Sequence, residues 1–208
     1  MKADYGSLKR HKWALPFEAF MLGGAVMTFL KQDWLHLGTS LFTFVASFAP
    51  LLFERVFKVR LPAAFQVSYV AFIFLSMFLG EVFYVYGNFW QWDDIIHFSA
   101  GILIALGAVT WLTALTRQFK EIKVPVWLQV VFVYGVVQSI IVLWELVEFG
   151  SDQIFGTTSQ GDLIDTMWDL VDGTAGAFIV CILLATHQLK RRIPFLERWI
   201  HSYSRLNK

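Results

Sequence analysis

The chain has 208 residues, of which 57% are hydrophobic, 17% aromatic and only 16% charged, with a formal net charge of +1. A soluble domain carries about a quarter charged residues, so this composition excludes a disordered chain, a coiled coil and a nucleic-acid-binding module. A single cysteine, Cys181, leaves no disulfide framework and no cysteine-rich zinc site, and a polytopic membrane protein remains.

A bilayer-spanning helix needs about 20 mostly apolar residues. Six stretches approach or meet that length, at about 14–30, 35–53, 63–85, 95–115, 126–150 and 163–189. The expectation is an all-α, six-transmembrane helical bundle forming one domain over 1–208. The first stretch follows Lys9, Arg10 and Lys12 in the manner of a signal peptide. No small-residue cleavage site precedes Lys31, so a retained helix is predicted. Pro125 stands just ahead of the fifth stretch, where a first helical turn tolerates proline.

Six spans put both ends of the chain on one side. That side collects 16 of the 17 basic residues, all but Lys31. The positive-inside rule then places both termini in the cytoplasm, with the membrane crossed several times. The acids divide the other way. Asp4, Glu18, Glu54, Glu121 and Glu197 fall inside, whereas Asp33, Glu81, Asp93, Asp94, Glu145, Glu148, Asp152, Asp162, Asp165, Asp169 and Asp172 fall outside.

Asp33 and Asp152 suit solvated loops. The other outer acids are set deeper. Arg60 to Glu81, Lys123 to Glu145, His97 to Arg117 and Asp169 to Lys190 are each separated by 20 to 22 residues. That is about 30 Å of helix, one hydrocarbon thickness. Four helices thus bring Glu81, His97, Glu145 and Asp169 to one level, with Asp172 about a turn deeper. Spacing adds a second constraint. Asp162, Asp165, Asp169 and Asp172 follow at intervals of 3, 4 and 3, Glu145 and Glu148 are three apart, and Asp93 and Asp94 precede His97 by four and three. Each set lies on one helical face. Ionised groups facing lipid are costly, so these faces turn inward or to a wet cavity.

Crowded like charges in a low dielectric need relief. Three arrangements supply it: a bound divalent cation, protonated and hydrogen-bonded carboxyls, or a solvated vestibule. A hard divalent ion such as magnesium prefers carboxylate oxygen, and His97 favours zinc, manganese or iron, so the ion is one of these four. The ligand set expected for one divalent ion, or a pair, is Asp93, His97, Glu145, Glu148, Asp165 and Asp169, with Glu148 or Asp172 as general base and Glu81, Asp94, Gln160 and Asp162 nearby.

Bland readings stand beside these. Asp93 or Asp94 suits the N-cap of the fourth helix, and Ser159 or Asp162 that of the sixth. The caps do not account for Asp169 and Asp172, two to three turns in. Gly173, Gly176 and Ala177 follow them, a small-residue surface that packs closely on a neighbour. Glu18, beside Pro16, suits a structural pairing with a base such as Arg55. His36 and His187 read as interfacial, and Tyr84, Tyr86, Trp90, Trp92, Trp144 and Trp168 as an outer aromatic belt.

The segments Trp92-Asp-Asp-Ile-Ile-His97-Phe-Ser-Ala-Gly101, Trp144-Glu145-Leu-Val-Glu148 and Gln160-Gly-Asp162-Leu-Ile-Asp165-Thr-Met-Trp-Asp169 resemble the YjdF-like family of bacterial inner-membrane proteins. In outline they are also similar to VanZ-like proteins. The resemblance covers about residues 81–177. It implies functional positions at Asp93, His97, Glu145, Glu148, Gln160, Asp162, Asp165 and Asp169, while Asp94 departs from the family pattern.

Three functions fit. The first is a membrane-embedded, metal-dependent hydrolase acting on a lipid or lipid-linked substrate at the outer leaflet, its ion acidifying a water. The second is a proton- or cation-coupled transporter using the same carboxylates. The third is a non-enzymatic assembly or resistance factor. The partners expected are membrane lipids, not nucleic acid, and the oligomeric state is left open.

Overall fold

Six helices are long and apolar enough to cross a membrane: Lys12–Leu30, Trp34–Phe57, Ala63–Val82, Trp92–Thr116, Val126–Phe155 and Leu163–Leu189. The computed structural model describes residues 11–118 and 123–207, all of them helical or connecting, with no strand among them. Lys2, Asp4, Lys9, Arg10, Lys120, Glu121 and Lys208, used in the charge count, lie outside the described residues. Large apolar side chains stand exposed along the long helices, for example Phe20, Leu30, Val131, Val147 and Ile182. Such surface is stable against lipid, where only internally hydrogen-bonded helices and closed barrels span.

The chain divides into two compact units, one reaching to Trp92 and resuming at Tyr203, the other running from Asp93 to Ser202. In the first unit, α1 (Leu15–Leu30) carries Pro16 in its first turn. The second span breaks into α2 (Trp34–Ala46) and α3 (Ala49–Phe57). Pro50 in the first turn of α3 explains the break, since its ring cannot continue the α2 hydrogen-bond ladder. Asp33, expected as a solvated acid, caps α2 by accepting from the His36 amide and lies 2.7 Å from its ring Nδ1.

The third span begins as α4 (Ala63–Ile73) and continues as a π-helical segment, Phe74–Val82, before the short α5 (Val85–Asn88). The Phe78 ring occupies the space a side chain on Gly24 would need. It forms a core with Met21 and Val82. Glu18 does not pair with Arg55. Its Oε1 is 2.7 Å from His11 Nε2 and accepts from the Ser47 hydroxyl at 3.3 Å. The reason is reach, because the turn Lys12–Ala14 lays His11 over the start of α1. Glu54 is fully buried and accepts from the Leu61 amide and the Gln66 side chain. Asn207 clamps Arg60 by bonding both its backbone groups.

The second unit holds α6 (Trp92–Gln118), α7 (Val126–Phe155), α8 (Leu163–Leu189) and most of α9 (Pro194–Leu206). Lipid tails supply no hydrophobic drive between helices, so small residues and close packing hold such a bundle. Gly101 on α6 meets the Gly173 carbonyl and the Ala177 amide on α8, and Gly176 meets Phe98 and Ile102 in return. A methyl at either glycine would collide with backbone. Ile141 of α7 closes on Gly173. The Gln138 amide donates to the Thr174 hydroxyl at 3.0 Å, tying α7 to α8. Below this crossing the core is largely apolar: Ala105, Val109, Val133, Val137, Val180 and Leu184 are buried. The helix α9 is short and two-faced, with Leu196, Trp199 and Tyr203 buried. Its Trp199 indole donates to the Thr110 hydroxyl at 2.9 Å.

Candidate metal centre

The crossing of α6, α7 and α8 places the site. His97 lies one turn from Gly101, Asp169 one turn from Gly173, and Glu145 one turn from Ile141. Each step leads away from the contact toward the same end of the unit, so close backbone approach delivers three polar side chains to one level. His97, Glu145 and Asp169 are 8%, 6% and 3% exposed. Asp93 and Glu148 are half-buried at the margin.

Two groups of donors result. Asp93, His97 and Asp169 form one, and Glu145, Glu148 and Asp169 the other, with the donor atoms of each within 4.8 Å of one another. His97 Nε2 stands 3.4 Å from Asp93 Oδ1 and 3.7 Å from Asp169 Oδ1, while its Nδ1 stands 4.0 Å from Glu145 Oε1. These separations exceed the roughly 2.7–3.2 Å of a hydrogen bond. Two donors each about 2.1 Å from a tetrahedral ion are about 3.4 Å apart, which the Asp93–His97–Asp169 edges approach.

Both oxygens of Glu145 are buried without a hydrogen bond of normal geometry, and the Thr166 hydroxyl, also unbonded, lies beside that carboxylate. A buried carboxylate with no partner is expensive. Among the described residues no lysine or arginine forms an ion pair with any member of the two groups; His97 alone does. The donor set of carboxylate oxygens and one imidazole suits a divalent zinc, manganese or iron ion. Glu148 Oε1 accepts from the Trp144 indole at 2.8 Å, a tie that aims its carboxylate.

Other residues singled out in the sequence stand apart. Asp162 is the N-cap of α8, accepting from the amides of Ile164 and Asp165. Asp165 is half-buried and lies over Gly161, whose φ of +64° and missing side chain make room for its carboxylate. It enters neither donor group. Asp172 is half-buried beside the glycine crossing, a turn too deep to join. Asp94 falls a helical step aside from Asp93, in the first turn of α6, and also joins neither group. Gln160 is held through its backbone amide by Asp152. Glu81 is exposed and belongs to the other unit.

Asp152 is more than the solvated acid expected. It accepts from the Thr157 hydroxyl at 2.5 Å and from the amides of Ser159 and Gln160. Beyond the Gly156 cap of α7, it thus organises the turn into α8. Its signal in the sequence was the Thr, Ser and Gln that follow within eight residues, a donor-rich turn for a side-chain acceptor.

Residues 14–190 match the family described as predicted membrane protein (DUF2238). The chain belongs to this family. The YjdF-like resemblance is consistent with that membership, whereas nothing in the match supports a VanZ-like outline. No curated protein and no solved structure matches the chain. Family membership and the six apolar helices together make the chain a multi-pass membrane protein by type; the donor groups are the feature of this family member that points to chemistry.

Proposed function

We propose that this DUF2238 protein binds a divalent cation at the outer face of a bacterial inner membrane and acts as a metal-dependent hydrolase on a lipid or lipid-linked substrate. The observation that carries the reading is the buried Glu145 carboxylate, without a hydrogen bond, beside an imidazole whose Nε2 is spaced for coordination with Asp93 and Asp169. Asp93, His97 and Asp169 would hold the ion, with Glu145 beside them. When bound, a divalent ion polarises a substrate oxygen and acidifies a water. Glu148, half-buried and aimed by Trp144, accepts the proton. The acidic end of the unit lies opposite the end bearing Lys123, Lys190, Arg191 and Arg192, and the positive-inside rule makes that basic end cytoplasmic. A site at the boundary of the hydrocarbon suits a head group rather than a free solute.

The largely apolar core beneath the donors argues against the transporter reading, which needs an inward route. The assembly-factor reading requires that alanine at Asp165 and Asp169 leave function intact. The test is elemental analysis of protein purified without chelator, followed by head-group release from phospholipid in mixed micelles. Stoichiometric metal that Asp169→Ala removes and Glu145→Ala reduces is the expected result. Absence of metal, with Glu145→Ala unchanged, would refute the cation; metal without any lipid hydrolysis would refute the enzyme.

A further inference from the structure

We infer that the centre holds two divalent cations bridged by the Asp169 carboxylate, one completed by Asp93 and His97, the other by Glu145 and Glu148. The inference rests on the metal reading above and extends it.

Three observations support it. Asp169 is the one residue common to both donor groups, and a carboxylate has two oxygens to divide between ions about 3.5–4 Å apart. The four carboxylates carry four formal negative charges in a site whose centre is buried. One divalent ion leaves two of them to be met by protons, whereas a pair lets all four stay ionised in a low dielectric. The acid cluster alone would not suffice. The independent sign is Glu145, nine-tenths buried with neither oxygen hydrogen-bonded, which the first group does not employ and a second ion would. His97 then does two jobs. Its Nε2 faces the Asp93–Asp169 ion, and its Nδ1 faces the Glu145 carboxylate, the outer-shell partner that orients a ligating imidazole. Each ion would have three protein donors, leaving open positions for water and substrate oxygen. A second ion makes Glu148 a ligand, so substitution there reads as a lost ion rather than only a lost base.

The test is titration of the full-length, chelator-stripped protein in detergent with Mn2+, reading equivalents bound and the low-temperature electron paramagnetic resonance spectrum. Two equivalents per chain with an exchange-coupled spectrum are expected. Asp93→Asn and Glu148→Gln should each retain one equivalent with the six-line signal of an isolated ion, and Asp169→Asn should lose both. One uncoupled equivalent in the unmodified chain overturns the pair and leaves the single-ion reading standing. Two uncoupled equivalents overturn the bridge. No binding of Mn2+ or Zn2+ overturns both readings. The unmodified chain decides among these outcomes, so a variant that fails to fold costs the test nothing.

Discussion

Alanine at Gly101 should separate the helices that assemble the centre. Its methyl would meet the Gly173 carbonyl and the Ala177 amide, backbone atoms that no rotamer change can move aside. An extra methyl in a packed core costs about 1–3 kcal/mol, and a backbone obstacle puts this site at the upper end. Helix propensity returns about 1 kcal/mol for Gly→Ala, leaving a net loss of about 2 kcal/mol. Gly135 on α7 provides the control, since nothing lies within 4 Å of its missing side chain. Alanine there should keep the gain of about 1 kcal/mol. The two variants therefore differ by about 3 kcal/mol, roughly a hundredfold in the unfolding equilibrium. Unfolding in mixed micelles at rising denaturing-detergent fraction measures it. Mn2+ affinity should fall about tenfold in Gly101→Ala, for about 1.4 kcal/mol of lost donor alignment, and stay unchanged in Gly135→Ala. Equal stability of the two variants would refute the backbone contact and the account of how the donors are placed.

Other expectations follow from individual side chains. Saturating Zn2+ or Mn2+ at a hundred times its dissociation constant should stabilise the protein by about 2.7 kcal/mol, read as a thermal shift that chelator reverses. Glu145→Gln should reduce that shift and yet stabilise the metal-free protein by about 1–3 kcal/mol, since it removes a buried carboxylate that has no hydrogen bond; destabilisation of the metal-free variant would contradict this. Asp162→Ala should cost about 1 kcal/mol through loss of the α8 cap while leaving the number of bound ions unchanged, and a lost equivalent would make Asp162 a ligand. Trp199→Phe should cost about 1 kcal/mol by removing the bond to Thr110, seen in the same unfolding assay without any change in metal content.

The spans were legible because lipid imposes a length rule on apolar runs. The sixth matches the expected 163–189 at both ends, where Asp162 and Lys190 punctuate it. The break in the second span was also written in the chain, at Pro50, but a hydropathy reading passes over it. The π-helical stretch at Phe74–Val82 has no signature in residue order; its Phe74 and Phe78 meet Phe17, Phe20 and Met21 of α1. The helix α9 was missed because thirteen residues after a basic run do not suggest a span. Its apolar positions at Leu196, Trp199 and Tyr203 and its leading Pro194 mark a helix all the same.

The candidate site shows the same division. The spacing of Asp93 with His97, and of Glu145 with Glu148, put each pair on one helical face. Which acids of the 162–172 stripe would meet them depended on the crossing at Gly101 and Gly173, a tertiary fact. That crossing selects Asp169. Asp165 and Asp172, one step outward and one inward on the same stripe, fall outside the donor groups.

Beneath His97 and Asp169 the buried side chains Ala105, Val109, Val133, Val137, Val180 and Leu184 offer a cation no ligand. A cation bound as proposed would then exchange from the acidic side alone, so its occupancy would track the compartment on that side rather than the one facing the basic end. In sealed vesicles, an impermeant chelator added on the acidic side alone would empty the site, and the same reagent trapped on the other side would leave it full.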